Sequence, residues 1–233
     1  MQDPKDEWIK TLSQDASFID VGGLWGTVNE KVSVALRAGA RKATMSDIAA
    51  LDHPLWRDLE RHYATLGIAD FDRVQFDVTQ PDPESTVGTH DIVHCSGIVY
   101  HVPDPWGMIH NLRRIARSHV ILTSMVIPAT LENSKGRLEL QHDTALYVPS
   151  LREEPRAIVA EYLDSRGVKV AAINSPMSEP WRWPDGTPNF GPWWWLWTPA
   201  FMAEFVKSVG FRVVDEGWSW EGLSYSLLLQ KAD

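Results

Sequence analysis

Aspartates close three apolar segments in the first third of the chain: Asp20, Asp47 and Asp77. Carboxylates accept hydrogen bonds from hydroxyl and amino groups. Two adjacent glycines, Gly22 and Gly23, follow Asp20, and glycine lets the backbone approach a ligand closely. A plausible helix follows Gly26, and a helix N-terminus offers free N–H groups. This strand, turn and helix predict a nucleotide-type ligand. Asp20 lies where a diphosphate would sit, which favours a positively charged or hydroxyl-bearing ligand instead.

Strands that alternate with helices must position these residues. Five predicted strands and their helices fill the first 128 residues, and this order predicts a doubly wound parallel sheet. The fourth predicted strand, Asp91 to Cys95, leads into the small pair Ser96–Gly97. Ligands bind outside the carboxyl ends of such strands. We therefore expect the three aspartates and the Ser96–Gly97 pair to lie near one ligand.

Asp47 has two interpretations. It lies about 20 residues past the last glycine, the separation at which a βαβ unit places a carboxylate on a ribose hydroxyl pair. Alternatively, Ser46 or Asp47 caps the amphipathic helix that follows. The sequence favours ribose binding and leaves the cap open.

The alternating pattern breaks between about Thr130 and Trp197, where Pro, Gly, Asn and Trp are frequent. Long ordered connections usually carry function, so we expect residues 129–197 to form a substrate-covering insertion that contains one helix. Thr198 as N-cap, Pro199 and Gly210 then mark a helix, and two strands with antiparallel pairing end the chain. The expected fold is one α/β domain over residues 1–233, a Rossmann-like, doubly wound, mostly parallel seven-stranded sheet with a Trp-rich insertion before the last helix and strands.

Composition narrows the class of protein. The 233 residues carry a formal net charge of −9, which argues against nucleic-acid binding because phosphate contacts need a basic surface. Cys95 is the one cysteine, which excludes an internal disulfide and a multi-cysteine zinc site, and the scattered histidines predict no metal. We expect no signal peptide, no membrane span and a cytoplasmic monomer or homodimer.

These features resemble the class I S-adenosylmethionine-dependent methyltransferases over residues 15–128 and 198–231. The resemblance rests on FIDVGGLWG, the acids of TMSDI and QFDVT, the stretch HDIVHCSGIVYHVPDP and the closing TPAFMAEFVKSVGFRVV. It implies S-adenosylmethionine as cofactor and S-adenosylhomocysteine as product. It also implies a set of cofactor-binding residues: Asp20, Gly22 and Gly23 beneath the methionine, Asp47 at the ribose, Ile48 after it, Asp77 at the adenine with Val78 beside it, and Ser96 and Gly97 beside the reacting methyl. One departure is that Leu24 stands where the family has glycine, with Trp25 after it.

The stretch GIVYHVPDP and the late aromatic run are similar to a subgroup that includes bacterial tRNA wobble-uridine carboxymethyl transferases, which bind RNA. The acidic charge and the lack of a basic extension argue against carrying that activity over. We expect instead methyl transfer to oxygen or nitrogen of a small aromatic, heterocyclic or sugar-like metabolite in biosynthesis or secondary metabolism. An RNA-modifying methyltransferase and a non-catalytic ligand-binding member remain the alternatives.

Methyl transfer from a sulfonium to a hydroxyl needs an aligned nucleophile and a group that takes its proton. His101, just beyond the fourth strand, is the candidate base because histidine titrates near neutrality, and Tyr100 is its neighbour in the predicted substrate site. The alternative is that His101 only caps a turn. His142–Asp143 is a second possible base with an orienting acid, whereas His94 is expected to be structural.

Six of the 12 tryptophans lie between Glu179 and Thr198. They either cover a face of the sheet as core or wall a pocket for a flat heterocycle or a cationic nitrogen. Their setting among Pro, Gly and Asn favours the pocket, although three consecutive tryptophans cannot all face one way. The predicted substrate-binding residues are Tyr100, His101, His142, Tyr147, Trp193, Trp194, Trp195 and Trp197.

Overall fold

A computed structural model describes residues 3–25, 29–168, 173 and 193–232 of the chain. In chain order its helices are α1 (Pro4–Leu12), α2 (Val32–Arg37), α3 (Pro54–Thr65), α4 (Pro83–Val87), α5 (Pro105–Ile115), α6 (Glu153–Ser165) and α7 (Pro199–Ser208). The strands are β1 (Ser17–Val21), β2 (Lys42–Asp47), β3 (Asp72–Gln75), β4 (His90–Ser96), β5 (Ala116–Met125), β6 (Thr130–Asn133), β7 (Gly136–Glu139), β8 (Ala145–Tyr147), β9 (Trp195–Trp197), β10 (Phe211–Ser219) and β11 (Ser224–Lys231).

The central sheet has seven strands in the order β10-β11-β5-β4-β1-β2-β3. The pairs β1–β2, β2–β3, β1–β4 and β4–β5 are parallel, and β10–β11 is antiparallel. The chain therefore winds outward from β1 to β3 and then returns to the other side of β1 at β4. This arrangement confirms the predicted doubly wound, mostly parallel seven-stranded sheet and puts its switch point between β1 and β4, where such sheets bind ligands.

The strands around the switch point are buried on both faces. Every residue of β1 is buried, the polar Ser17 and Asp20 as well as the three apolar residues, as expected for a central strand of a parallel sheet. Helix α3 packs beside this part of the sheet through Trp56, Leu59 and Tyr63, which recur at helical spacing and join Phe18 in one hydrophobic cluster. Full burial of side chains of this size contributes about 1.5–3 kcal/mol each. The core thus fixes the strands whose ends carry the predicted site.

Asp91 ties the start of β4 to its neighbours. Its carboxylate accepts hydrogen bonds from the backbone N–H and the hydroxyl of Ser17, both at 2.8 Å, and it forms an ion pair with Arg41. Burial alone would raise the pKa of Asp91, but these partners lower it to about 2. The hydroxyl of Ser118 on β5 donates to the Asp91 carbonyl at 2.6 Å, which links β5 to the same residue.

The chain divides into two compact units. The first contains residues 1–99, 104–124 and 206–233, and the second contains residues 100–103 and 125–205. The second unit overlaps the predicted insertion of residues 129–197 and contains the predicted helix, here α6. It also contains two unpredicted antiparallel pairs, β6–β7 and β8–β9, whose strands are too short to show a clear period of two. Trp181, Trp183 and most of the segment 168–173 lie outside the described residues.

None of the helices among the described residues is long and apolar enough to cross a membrane. Helix α7 has the predicted boundaries, because the Thr198 hydroxyl accepts the Phe201 N–H at its start and Gly210 adopts φ +88° after its end. The turn-rich sequence PDPESTVGTH predicts a surface loop, but Pro83 opens a single short turn of helix there, α4.

Candidate functional site

The strand ends that carry the predicted cofactor residues are neighbours in the sheet. Val21 of β1 pairs with Ser46 of β2 and with Cys95 of β4. Gly22, Asp47 and Ser96 therefore each come one residue later, at the same level of the sheet. The structure thus brings together the ends of β1, β2 and β4, and β3 follows beside β2.

Asp20 lies inside the sheet rather than at its surface, with 1% of the residue exposed. Its Oδ1 lies 2.7 Å from Nδ1 of His94, the residue opposite it on β4. Its Oδ2 accepts a hydrogen bond of 2.9 Å from the backbone N–H of Lys31. Both carboxylate oxygens therefore have protein partners, and a direct contact of Asp20 with a cofactor stays a prediction.

The glycines after β1 are required by the packing of the chain itself. Gly22 has φ +75°, and a Cβ there would lie 1.9 Å from Cδ1 of Ile98. A Cβ at Gly23 would lie 2.4 Å from Oδ2 of Asp20. Both positions thus need glycine whether or not a ligand approaches them.

Leu24 and Trp25 turn in opposite directions where the resembling family has glycine. Leu24 is fully buried in the same hydrophobic cluster as Met45 and Trp56, whereas Trp25 is 49% exposed. The bulky pair is accommodated because the loop directs Leu24 into the core. Gly26, the last glycine of the predicted turn, lies outside the described residues.

Asp47 occupies the predicted position at the end of β2, with 3% of the residue exposed. Its carboxylate accepts hydrogen bonds from the backbone N–H groups of Ala49, at 3.0 Å, and of Leu24. Burial raises the pKa of Asp47, and the nearby negative charge of Asp20 raises it further. The two hydrogen bonds lower the pKa, but the net shift is upward. The alternative role as a helix cap is wrong, because His53 caps α3, which begins at Pro54.

The loop after β3 is fixed from two sides. The carboxylate of Asp77 accepts hydrogen bonds from the N–H and hydroxyl of Thr79 and from the side-chain amide of Gln80. Burial would raise the pKa of Asp77, but these bonds lower it. Asn111 of α5 donates from Nδ2 to the carbonyls of Val78 and Gln80, at 2.8 and 2.9 Å. Sequence reasoning missed Asn111, because only the packing of α5 reveals its contact with this loop.

The small pair Ser96–Gly97 marks the end of β4, of which Ser96 is the last residue. Gly97 has φ +79°, and its N–H donates to the Thr123 carbonyl of β5 at 3.1 Å. Two predicted cofactor residues have apolar side chains, Ile48 and Val78. Ile48 is 47% exposed, whereas Val78 is buried.

The second unit holds the predicted substrate residues. Tyr100, His101 and Trp193 form an aromatic cluster, with ring centroids 4.2 Å apart for Tyr100–His101, 4.7 Å for Tyr100–Trp193 and 5.6 Å for His101–Trp193. The backbone N–H of Trp194 donates to the Tyr100 carbonyl at 2.9 Å and joins the segment after β4 to the segment before β9. Burial raises the pKa of Tyr100, so its hydroxyl is protonated at neutral pH.

A second aromatic cluster lies on the β8–β9 pair. Tyr147 pairs with Trp195 across the two strands, their ring centroids are 5.0 Å apart, and Trp194 follows at 6.0 Å. The indole N–H of Trp195 donates to the Pro103 carbonyl at 3.2 Å. Tyr147 is exposed, and Trp194 and Trp195 are half-buried, so part of this cluster lies at the surface of the described residues.

Trp197 and His142 have different settings. Trp197 is 1% exposed and lies against Phe201 and Phe205 with ring centroids 6.0 Å away in each case, so it belongs to the core of the second unit. His142 and Asp143 are exposed in the turn before β8. The described residues contain no group of three His, Cys, Asp or Glu side chains placed to hold a metal.

The sequence matches no protein-family model and no curated protein. The structure, in contrast, resembles solved methyltransferases. Magnesium protoporphyrin IX methyltransferase from Synechocystis PCC 6803 with bound S-adenosylhomocysteine aligns with a TM-score of 0.56 and 15% identity over 98% of this chain and 80% of that one. The chain has a methyltransferase fold.

Two further solved structures extend the likeness. Burkholderia thailandensis 1,6-didemethyltoxoflavin-N1-methyltransferase, with 1,6-didemethyltoxoflavin and S-adenosylhomocysteine bound, gives a TM-score of 0.53 and 17% identity over 99% of this chain and 77% of that one. The N-terminal domain of EvdMO1, in the presence of S-adenosylhomocysteine and D-fucose, gives a TM-score of 0.57 and 16% identity over 100% of this chain and 84% of that one. At such low identity the likeness concerns the fold, and the activity needs its own argument.

Proposed function

We propose that the protein is an S-adenosylmethionine-dependent methyltransferase that transfers a methyl group to oxygen or nitrogen of a small aromatic, heterocyclic or sugar-like metabolite. One observation carries the proposal: the ends of adjacent parallel strands bring Gly22, Asp47 and Ser96 to one level at the switch point. Ligands of doubly wound sheets bind at this place. The fold shared with methyltransferases that bind S-adenosylhomocysteine supports the same conclusion.

The residues of the first unit fit the proposed cofactor chemically. Asp47 has two backbone donors, and since an ionised carboxylate offers about four acceptor sites, it retains capacity for the ribose hydroxyls. Ile48 exposes an apolar side chain suited to the adenine face, and Asp77 is an acceptor for the adenine amino group. When bound, S-adenosylmethionine supplies a methyl group on a sulfonium that a nucleophile can attack.

The residues of the second unit would position the acceptor and take its proton. His101 is the proposed base, and the rings of Tyr100 and Trp193 restrict its orientation. Fixing reacting groups in this way can supply several kcal/mol of barrier reduction, and a general base contributes about 10²–10⁴-fold. Tyr100, which is protonated at neutral pH, can donate but cannot accept a proton.

The cluster of Tyr147, Trp194 and Trp195 supports a flat acceptor, because exposed aromatic faces stack on aromatic or heterocyclic rings. Two of the structural neighbours act on ring systems, a magnesium porphyrin and a toxoflavin precursor, and a third was studied with a sugar. The net charge of −9 makes RNA a poor acceptor.

A methyl-transfer screen tests the proposal. The purified protein is incubated with S-adenosylmethionine carrying a labelled methyl group and with panels of phenols, heterocycles and sugars and, in parallel, with RNA, and labelled products are identified by mass spectrometry. We expect transfer to at least one ring-containing acceptor, and His101→Gln should lower kcat by about 10²–10⁴-fold with the cofactor affinity unchanged. Transfer only to RNA would overturn the proposed acceptor class. An unchanged kcat in His101→Gln would remove His101 as the base.

A further inference from the structure

Asp20 and His94 form a buried pair in the middle of the sheet. They face each other across β1 and β4, Oδ1 and Nδ1 are 2.7 Å apart, and the two side chains are 1% and 3% exposed. The ring of His94 also stacks on Phe18, at a centroid distance of 6.4 Å. Burying a charged carboxylate is costly unless it is paired and hydrogen-bonded, so His94 makes this position of Asp20 tolerable.

Asp20 binds the end of the glycine-rich loop at Lys31 and lies close to Gly23 near its start. Its Oδ2 accepts a hydrogen bond from the backbone N–H of Lys31, where the loop ends. The same oxygen would lie only 2.4 Å from a Cβ at Gly23, so there is no room for a side chain at that position unless Asp20 moves. Lys31 continues the connection, because its Nζ lies 2.6 Å from Oδ1 of Asp6 in α1. One carboxylate is therefore linked to residue 31 by a hydrogen bond and packs closely against residue 23.

We propose that His94 is a positioning residue for the cofactor loop, acting through the hydrogen bond from Nδ1–H to Asp20. This inference deepens the proposed function and rests on it, because the loop is proposed to hold the methionine part of the cofactor. It gives His94 a role beyond the structural one expected from the sequence. His94 touches neither cofactor nor substrate in this role.

The alternative atom on the ring is Nε2, which is buried and has no hydrogen-bond partner among the described residues. With Nδ1 donating to a carboxylate, Nε2 of the neutral ring is an acceptor. A buried polar atom without a partner disfavours the folded state, so either the contact at Nδ1 offsets this cost or a ligand group meets Nε2. The two atoms can be tested separately.

Two amide substitutions separate them. His94→Asn places an amide nitrogen on Cγ, where Nδ1 is attached, whereas His94→Gln places its amide at the distance of Nε2. His94→Leu removes both polar ring atoms, the Nδ1 donor and the Nε2 acceptor, and keeps an apolar side chain. The readouts are the hydrogen-exchange rate of the Lys31 amide, measured by NMR, and the affinity for S-adenosylhomocysteine, measured by calorimetry, with thermal unfolding to check that each variant folds.

We expect His94→Asn to keep both the exchange rate and the affinity within about threefold of the parent. His94→Gln and His94→Leu should each raise the exchange rate of the Lys31 amide, and weaken S-adenosylhomocysteine binding, by roughly tenfold or more. Equal losses in His94→Asn and His94→Gln would overturn the proposal in favour of ring packing. A larger loss in His94→Asn than in His94→Gln would assign the role to Nε2. If the parent binds no S-adenosylhomocysteine, the proposed function fails, and the Lys31 exchange rates alone still decide the role of His94.

Discussion

Leu24 gives the sharpest test of the loop geometry. Its side chain is 0% exposed and packs in the cluster that contains Met45, Ala49 and Trp56. Truncating a fully buried leucine to alanine costs about 2–5 kcal/mol, which combines the lost transfer energy with the cavity left behind. Native domains are stable by about 5–15 kcal/mol, so Leu24→Ala should remove a large share of the free energy of unfolding.

The matched control is the next residue in the chain. Trp25 is 49% exposed, and Trp25→Ala should change the free energy of unfolding by about 1 kcal/mol or less. Leu24→Gly, which restores the residue of the resembling family, should destabilise further by about 0.5–1 kcal/mol, because glycine loses more backbone entropy on folding.

Thermal and urea unfolding of the three variants measures these differences. For a chain of this length about 1 kcal/mol shifts Tm by roughly 2–4 °C, so Leu24→Ala should unfold roughly 4–20 °C below the parent. A small effect of Leu24→Ala together with a large effect of Trp25→Ala would refute the reasoning. That result would mean that tryptophan, and not leucine, turns into the core.

Three further outcomes are expected. Asp47→Asn should leave the protein equally or more stable at pH 7, because the raised pKa of Asp47 means that its ionised form is disfavoured in the fold. The same change should weaken S-adenosylhomocysteine binding roughly 10- to 100-fold by calorimetry, since it removes a charged acceptor, and unchanged affinity would contradict the ribose assignment. Asn111→Ala should cost about 1–3 kcal/mol in unfolding free energy, because the carbonyls of Val78 and Gln80 lose their donor; a neutral effect would show that water replaces it. Asp91 has a pKa lowered to about 2, so its stabilising contribution is full above its ordinary pKa of about 4 and is lost as the pH falls toward 2. The stability difference between the parent and Asp91→Asn should therefore shrink across that interval, and a constant difference would contradict the pairing.

The fold could be predicted because its signals are local. The apolar segments of β1, β4 and β5 are long and buried on both faces, so their composition marks them without knowledge of their partners. The position of Asp47 at the end of β2 follows from such a boundary, whereas β1 continues past Asp20 to Val21. The helix at 199–208 was equally clear, because Thr198 caps it and a proline follows.

The rest depended on contacts that sequence spacing does not reveal. The pairing of Asp20 with His94 joins residues 74 positions apart, and the contact of Asn111 with the loop after β3 requires the docking of α5. The sequence does not show how the bulky Leu24 fits in the glycine-rich turn; the structure does, because its side chain is buried in the core. Likewise Trp197 is distinguished from the half-buried Trp194 only by its place against Phe201 and Phe205, because all are large aromatic residues in one irregular stretch.

Equilibrium binding of S-adenosylhomocysteine to the purified full chain, measured by calorimetry, tests the central claim most directly. The convergence of strand ends at the switch point predicts saturable binding at one site per chain, and Asp47→Ala should weaken it by about 1–3 kcal/mol. Absence of heat and of thermal stabilisation at millimolar ligand, with a folded protein, would contradict the claim. The methyltransferase fold would then serve a different ligand.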